Sequence, residues 1–304
     1  RMAKTRYRGV LLIGLFSMVV VSACGSSPSV TEAPTVDPPR DEISVAVDGS
    51  GDYSTLEEAL AAAQPRATIT LGPGEYRLIR GLEIDTSLTL IGAGMDGTEI
   101  VSGWPGHVVK FTGSGSFAAE GITFRHDGRQ AADVVVIDQG SADFSKCRFT
   151  GAVYEEGEGN RAGLRFKGSS RGTVEDSVIS ENDNSGILVE QQAKPELKRN
   201  VCSNNVMVGI GYMDLARGVA SENECTGNAI GIAVAVEARP TLENNKCNEN
   251  DYGIAYLENG GGESYGNECL RNKIGIVVGP SSTAQLGDND CRDNSEENIR
   301  DSRG

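Results

Sequence analysis

One spacing constrains this chain more than anything else in it. Cys202, Cys225, Cys247, Cys269 and Cys291 follow one another at intervals of 23, 22, 22 and 22 residues, with Cys147 as an earlier member and Val178 in the same slot between. Three further columns keep the step: Asn182, Asn205, Asn228, Asn250, Asn272 and Asn294; Gly186, Gly209, Gly231, Gly253 and Gly275; Ile187, Ile210, Ile232, Ile254 and Ile276. The stretches NNKCNENDYGIAY and GNECLRNKIGIVV show the unit at its clearest, each with an Asn, a Cys two later, an Asn three after that, and a Gly-Ile pair. A fixed period near 22 residues is the mark of a solenoid. A leucine-rich repeat would require Leu at fixed offsets, and Leu is scarce. Short β-branched pieces such as GILV and GIVV, separated by Gly, Asn and Asp, fit three short strands per turn.

The expected fold is therefore all-β: a single-stranded right-handed parallel β-helix of about eleven coils, roughly 50 Å long. Like residues stack at about 4.8 Å in such a coil, so each column has a physical cause. Ile and the apolar residue two later (Val189, Tyr212, Val234, Tyr256, Val278) point inward by the period-2 rule. The Asn column belongs at a turn, where Asn tolerates left-handed backbone and stacked carboxamides bond one another. Each Gly is expected to make a corner. The coil spacing exceeds what a disulfide prefers, so the cysteines are expected to form a ladder of small buried thiols, with one or more bridges as the alternative. No metal is expected beside them, because the chain has two His and no acid recurs at an inward position.

The N-terminal part divides further. Residues 1–23 hold Lys4, Arg6 and Arg8, then an apolar run from Gly9 to Val21, and have the layout of an export signal. Residues 24–42 are rich in Ser, Pro and Thr and suggest a disordered tether. The β-helix is assigned to 43–300 and a tail to 301–304. A short capping helix is expected to open at Ser54, with Glu57 completing a capping box. The chain carries 28 Lys and Arg against 43 Asp and Glu; loss of residues 1–23 removes four of the bases, leaving a net charge of −19. So acidic a body argues against nucleic acid as a partner and against broad contact with anionic headgroups. A monomer is expected.

VSAC, ending at Cys24, resembles the bacterial lipobox, which implies diacylation at Cys24, cleavage before it, and anchoring of an exported protein to the cell envelope at the outer membrane or cell surface. VDGSGDYSTLEEALAAA, GPGEYRL and LTLIGAGMDGTEI resemble the opening of the pectin lyase-like superfamily, pectin methylesterases in particular. The later coils are similar to the parallel β-helix repeats of many secreted carbohydrate-active proteins. The esterase resemblance places Gln130 at the first catalytic Gln. GAVYEEGEG lacks the second Gln, GTVED matches only the edge of the nucleophile motif, and no methylesterase is implied.

In that superfamily substrates lie along the outward face of the strand that begins here at the Gly-Ile column. Its outward residues Leu188, Gly211, Ala233, Ala255 and Val277 are small or apolar; a pure interaction protein would expose them as a continuous strip. Lys110, Asp138, Arg165, Lys167 and Glu190 fall on or beside the same face in earlier coils. Two insertions, RHDGRQ and GAVYEEGEGNR, enter at one corner of successive coils and should form a wall that brings His126, Asp127, Arg129, Tyr154, Glu155 and Glu156 near a groove, with Gln130 a further candidate for binding there. An aromatic and several hydrogen-bonding charges suit a glycan. Trp104 and His107, in GWPGH, are assigned to local packing. The expected role is non-catalytic binding of polysaccharide or an envelope protein, without cofactor. The competing class is a polysaccharide lyase or hydrolase, which would bring the carboxyls of Asp138, Glu155 and Glu190 within reach of Arg165 or Lys167, and as a lyase would add Ca²⁺.

Overall fold

The computed structural model describes residues 40–304. They form a right-handed parallel solenoid of three sheets with 11, 10 and 10 strands, in which each strand pairs with its counterpart one coil away. Residues 1–39, with the expected export signal, Cys24 and most of the tether, lie outside the described residues. The strand Arg40–Val45 already pairs with the next coil, so the solenoid opens inside the stretch assigned to the tether. The one helix among the described residues, Leu56–Ala62, buries Leu56 and Ala59 against the first coil. Its cap lies one residue later than expected: Thr55 accepts from the Glu58 amide. No helix among the described residues is long and apolar enough to cross a membrane.

The thiol column exists, with two corrections. Cys202, Cys225 and Cys247 pair in register, as do Cys269 and Cys291, and all six described cysteines are free. The slot before Cys202 is held by Ile179 and before that by Phe149, not by Val178 and Cys147. Cys147 stands two residues ahead of Phe149, outside the thiol column, and its amide donates to Ser177 Oγ at 3.1 Å. A period fixes how often a slot recurs, and an insertion in the Gly151–Arg161 loop shifts the count between Cys147 and Cys202.

The Asn column forms a continuous ladder from Asn182 to Asn294. Asn205 Nδ2 donates to Asn228 Oδ1 at 3.1 Å and to the Ile179 carbonyl at 3.1 Å, while its amide donates to the same Oδ1 at 2.9 Å. A second ladder, at the Asn two residues before each Cys, runs through Asn200, Asn223, Asn245, Asn267 and Asn289 with side-chain bonds of 2.9–3.0 Å. In both ladders the left-handed residue is the one before the Asn: Glu181, Arg199, Asn204, Glu222 and Glu249 have φ of 54–59°. The carboxamide itself saturates the groups that this turn would leave bare. The column glycines do not turn the chain. A Cβ on Gly209 would stand 2.6 Å from the Gly231 carbonyl and 3.1 Å from Asn228 Nδ2, so the requirement is close approach to the next coil.

Candidate functional site

The third sheet carries the site on its outer face. Lys110, Val136, Arg165 and Leu188 are register partners on four successive coils. Just past the ends of those strands come Asp138, Lys167 and Glu190. Charge alternates across the two columns. Lys110 Nζ lies 3.5 Å from Asp138 Oδ2, and Lys167 Nζ lies 4.0 Å from Glu190 Oε1. Arg165 binds Glu190 through two bonds of 3.2 and 3.1 Å and reaches Asp133 Oδ2 at 3.2 Å. Asp133 also accepts the Ala162 amide at 2.8 Å, and Arg165 donates to the Asn160 carbonyl at 2.9 Å.

The two insertions stand side by side, joined by reciprocal backbone bonds of 3.0 Å between Ala132 and Val153. Their wall exposes Gln130, Tyr154 and Glu155. His126 is corrected: it is buried, with Nδ1 3.3 Å from the Gly151 carbonyl and Nε2 unpartnered, and does not face the groove. Its position follows from register, since it pairs with Ser102 and continues the second sheet. Trp104 is 52% exposed. Of Asp138, Glu155 and Glu190, Glu190 alone forms an ion pair with Arg165 or Lys167 among the described residues. The apolar strip that a pure interaction protein would expose is not continuous: Leu188, Ala233 and Ala255 are buried, and exposure falls on Val206, Met207, Tyr252 and Leu257.

Two members of the cluster were missed in the sequence. Asp133 sat in the apolar run DVVVI, where period-2 counting treats it as strand, and Arg161, whose Nη1 lies 3.9 Å from Asp133 Oδ2, closed an insertion whose path sequence does not give. Burial pushes the Asp133 carboxyl up, against the pull of Arg165. Arg165 is drawn down by burial but raised on balance by Asp133 and Glu190, so it stays charged. The cluster is thus an internally neutralised ridge whose acids and bases face one another. It offers hydrogen bonds to a ligand laid over it and leaves no uncommitted base at its centre. Among the described residues no group of three His, Cys, Asp or Glu could hold a metal ion.

Residues 132–291 match the family described as the right handed beta helix region, and the chain belongs to that family. Among solved structures it is similar to an alginate lyase from Paenibacillus sp. str. FPU-7, with 14% identity over 85% of this chain and 99% of that one, TM-score 0.66. It is also similar to the A-module of the mannuronan C-5 epimerase AlgE6 of Azotobacter vinelandii, with 17% identity over 75% and 68% of the two chains, TM-score 0.61. These likenesses show the fold. Among curated proteins none matches.

Proposed function

We propose that this protein is a cell-envelope lipoprotein, anchored through Cys24, whose β-helix binds polysaccharide on the third sheet without processing it. The observation that carries this reading is the mutual pairing of Asp133, Arg165 and Glu190. Groups held in such a network present directed hydrogen bonds, whereas general acid–base chemistry requires a group free to exchange a proton with substrate. Lys110 and Lys167, each less tightly bound and partly exposed, and Tyr154 on the wall would contact the sugars. The structural neighbours that are an alginate lyase and a mannuronan C-5 epimerase module support the choice of a glycan as ligand.

A glycan array followed by calorimetry tests it. Lys167→Ala should weaken binding roughly tenfold, the worth of one charged hydrogen bond. Tyr154→Ala should weaken it also, with no new reducing ends or unsaturated uronate released from the bound polymer. Absence of glycan binding would overturn the reading. Release of product would favour the lyase or hydrolase alternative, for which Glu190 beside Arg165 and Lys167 is the specific support. Anchoring is tested separately by labelling cells with a palmitate analogue: Cys24→Ser should abolish incorporation.

A further inference from the structure

The corner between the second and third sheets, in the first three coils, gathers exposed apolar residues and two bases. Ile79 is 87% exposed and Trp104 is 52% exposed. Pro105, Arg80 and Arg129 are exposed beside them. The three loops that carry these residues are in direct contact. Leu78 N donates to the Val101 carbonyl at 2.8 Å, and Gly106 N to the Ala131 carbonyl at 2.9 Å. A Cβ on Gly81 would stand 2.4 Å from the His107 carbonyl, and one on Gly128 2.4 Å from the Gly103 carbonyl. Ile79–Arg80, Trp104–Pro105 and Arg129 therefore stack as a compact apolar tip with two cations.

The two cations at this tip are unpaired among the described residues. Neighbouring Arg77 and Arg125 are tied to Glu75, Glu99 and Asp127. Arg80 and Arg129 have no ion pair among the described residues, although the chain as a whole has an excess of acids. Free guanidinium groups beside an exposed Trp and an exposed aliphatic side chain fit the phosphate and acyl boundary of a phospholipid layer, where an indole ring favours the interface. The position agrees. Ile79 N lies 3.4 Å from Glu57 of the capping helix, so the tip is at the N-terminal end of the solenoid. The next loop along the axis carries Glu155, Glu156 and Glu158 in exposed positions. Those acids set the limit of the contact.

We propose that this corner docks on a phospholipid surface, with Trp104 and Ile79 inserted at the interface and Arg80 and Arg129 on lipid phosphates. The solenoid then stands with its N-terminal end toward the bilayer and its later coils projecting away, and the broad headgroup contact that the acidic body forbids is reduced to one point. The inference does not depend on the glycan reading.

Trp104 is the chain's single tryptophan, so its emission reports this corner alone. The full chain should be bound to phosphatidylglycerol/phosphatidylethanolamine vesicles, with binding confirmed by flotation. Trp104 emission should then shift to shorter wavelength and be quenched by lipids brominated on the acyl chains. Arg80→Ala and Arg129→Ala should each weaken the docked state roughly fivefold. Ile79→Asp, at a position too exposed to unsettle the fold, should remove the quenching while the vesicles still float with bound chain. Unchanged emission on floated vesicles, or no flotation of the full chain, would overturn the proposal. The same shift produced by soluble uronate oligosaccharides without vesicles would assign the corner to glycan instead.

Discussion

Asn228 shows how much one side chain supports in this fold. Its Oδ1 accepts from both the amide and Nδ2 of Asn205, and its Nδ2 donates to the Cys202 carbonyl. Asn228→Ala leaves those groups buried and unmatched, and should lower stability by roughly 2–4 kcal/mol. Thr226→Ala, on the same coil but facing outward, should change it by less than about 0.5 kcal/mol. Urea unfolding of the pair checks this; equal effects would mean that the ladder is not what holds the turn. Arg165 is the corresponding case among charges. Arg165→Met strands Asp133 and Glu190 in a buried place, at a cost of roughly 3–5 kcal/mol. The sign of its pH dependence follows from Asp133. A carboxyl whose native pKa lies above its unfolded value contributes stability that is complete below the ordinary carboxylate range and is lost as pH rises through the native value. Removing the cation raises that native value further. The variant should therefore regain stability between pH 7 and pH 5 more steeply than the parent, as read by melting temperature. Of these residues the Asn column was legible from its period. Asp133 was not, because nothing local separates a buried, paired carboxylate from an ordinary strand residue.

At the scale of strands and coils, the reason for cysteine is volume. In register along the third sheet the inward residues are Val189, Tyr212, Val234, Tyr256 and Val278. On the first sheet, in the same turns, they are Leu197, Ala220, Leu242, Ser264 and Leu286. Large and small alternate in opposite phase, so each turn pairs Val with Leu or Tyr with a small residue, and a constant small thiol completes the layer. Ala220→Leu alone should overpack against Tyr212 and cost about 1–3 kcal/mol. Tyr212→Val alone should open a cavity costing about 2–4 kcal/mol. The double variant copies the layers above and below it and should recover at least half of the summed loss; strict additivity in a double-mutant cycle would refute the compensation. The thiols themselves should be inert because reagents cannot reach them: five of the six described cysteines are buried, and burial pushes Cys147 up to about 12. Of the six described cysteines, a thiol reagent should label Cys291 alone in the native state and the other five only after denaturation, which peptide mass mapping would show. The column was legible in the sequence and its purpose was not, since the compensating residues lie on different strands and no single period joins them.

Along the whole molecule the core changes character. The early coils are filled by rings: Phe144 lies 5.2 Å from Phe149 and 5.7 Å from Phe117, and Phe124 lies 5.5 Å from Phe149, centroid to centroid. That end is also closed by the capping helix over Leu56 and Ala59. From Ile179 onward the same column narrows to Cys, and order depends on the two carboxamide ladders, while Ile299, the last member of its column, is 45% exposed. The period made the later coils easy to recognise because they are built from repeated small parts. The early coils were harder, since large aromatic side chains fill space in irregular combinations. In a solenoid each coil contacts only its neighbours, so a difference in filling becomes a difference in local stability instead of being averaged. The later half should therefore open first. Hydrogen exchange followed by mass spectrometry should show the strands from Val201 onward exchanging before those between Leu88 and Phe166. Asn228→Ala should widen the gap by loosening the later half alone. Phe149→Ala, at roughly 3–5 kcal/mol, should narrow it by weakening the aromatic half. Uniform protection along the axis, or equal acceleration of both halves by either substitution, would show that the solenoid unfolds as one unit and that the aromatic layers confer no separate stability.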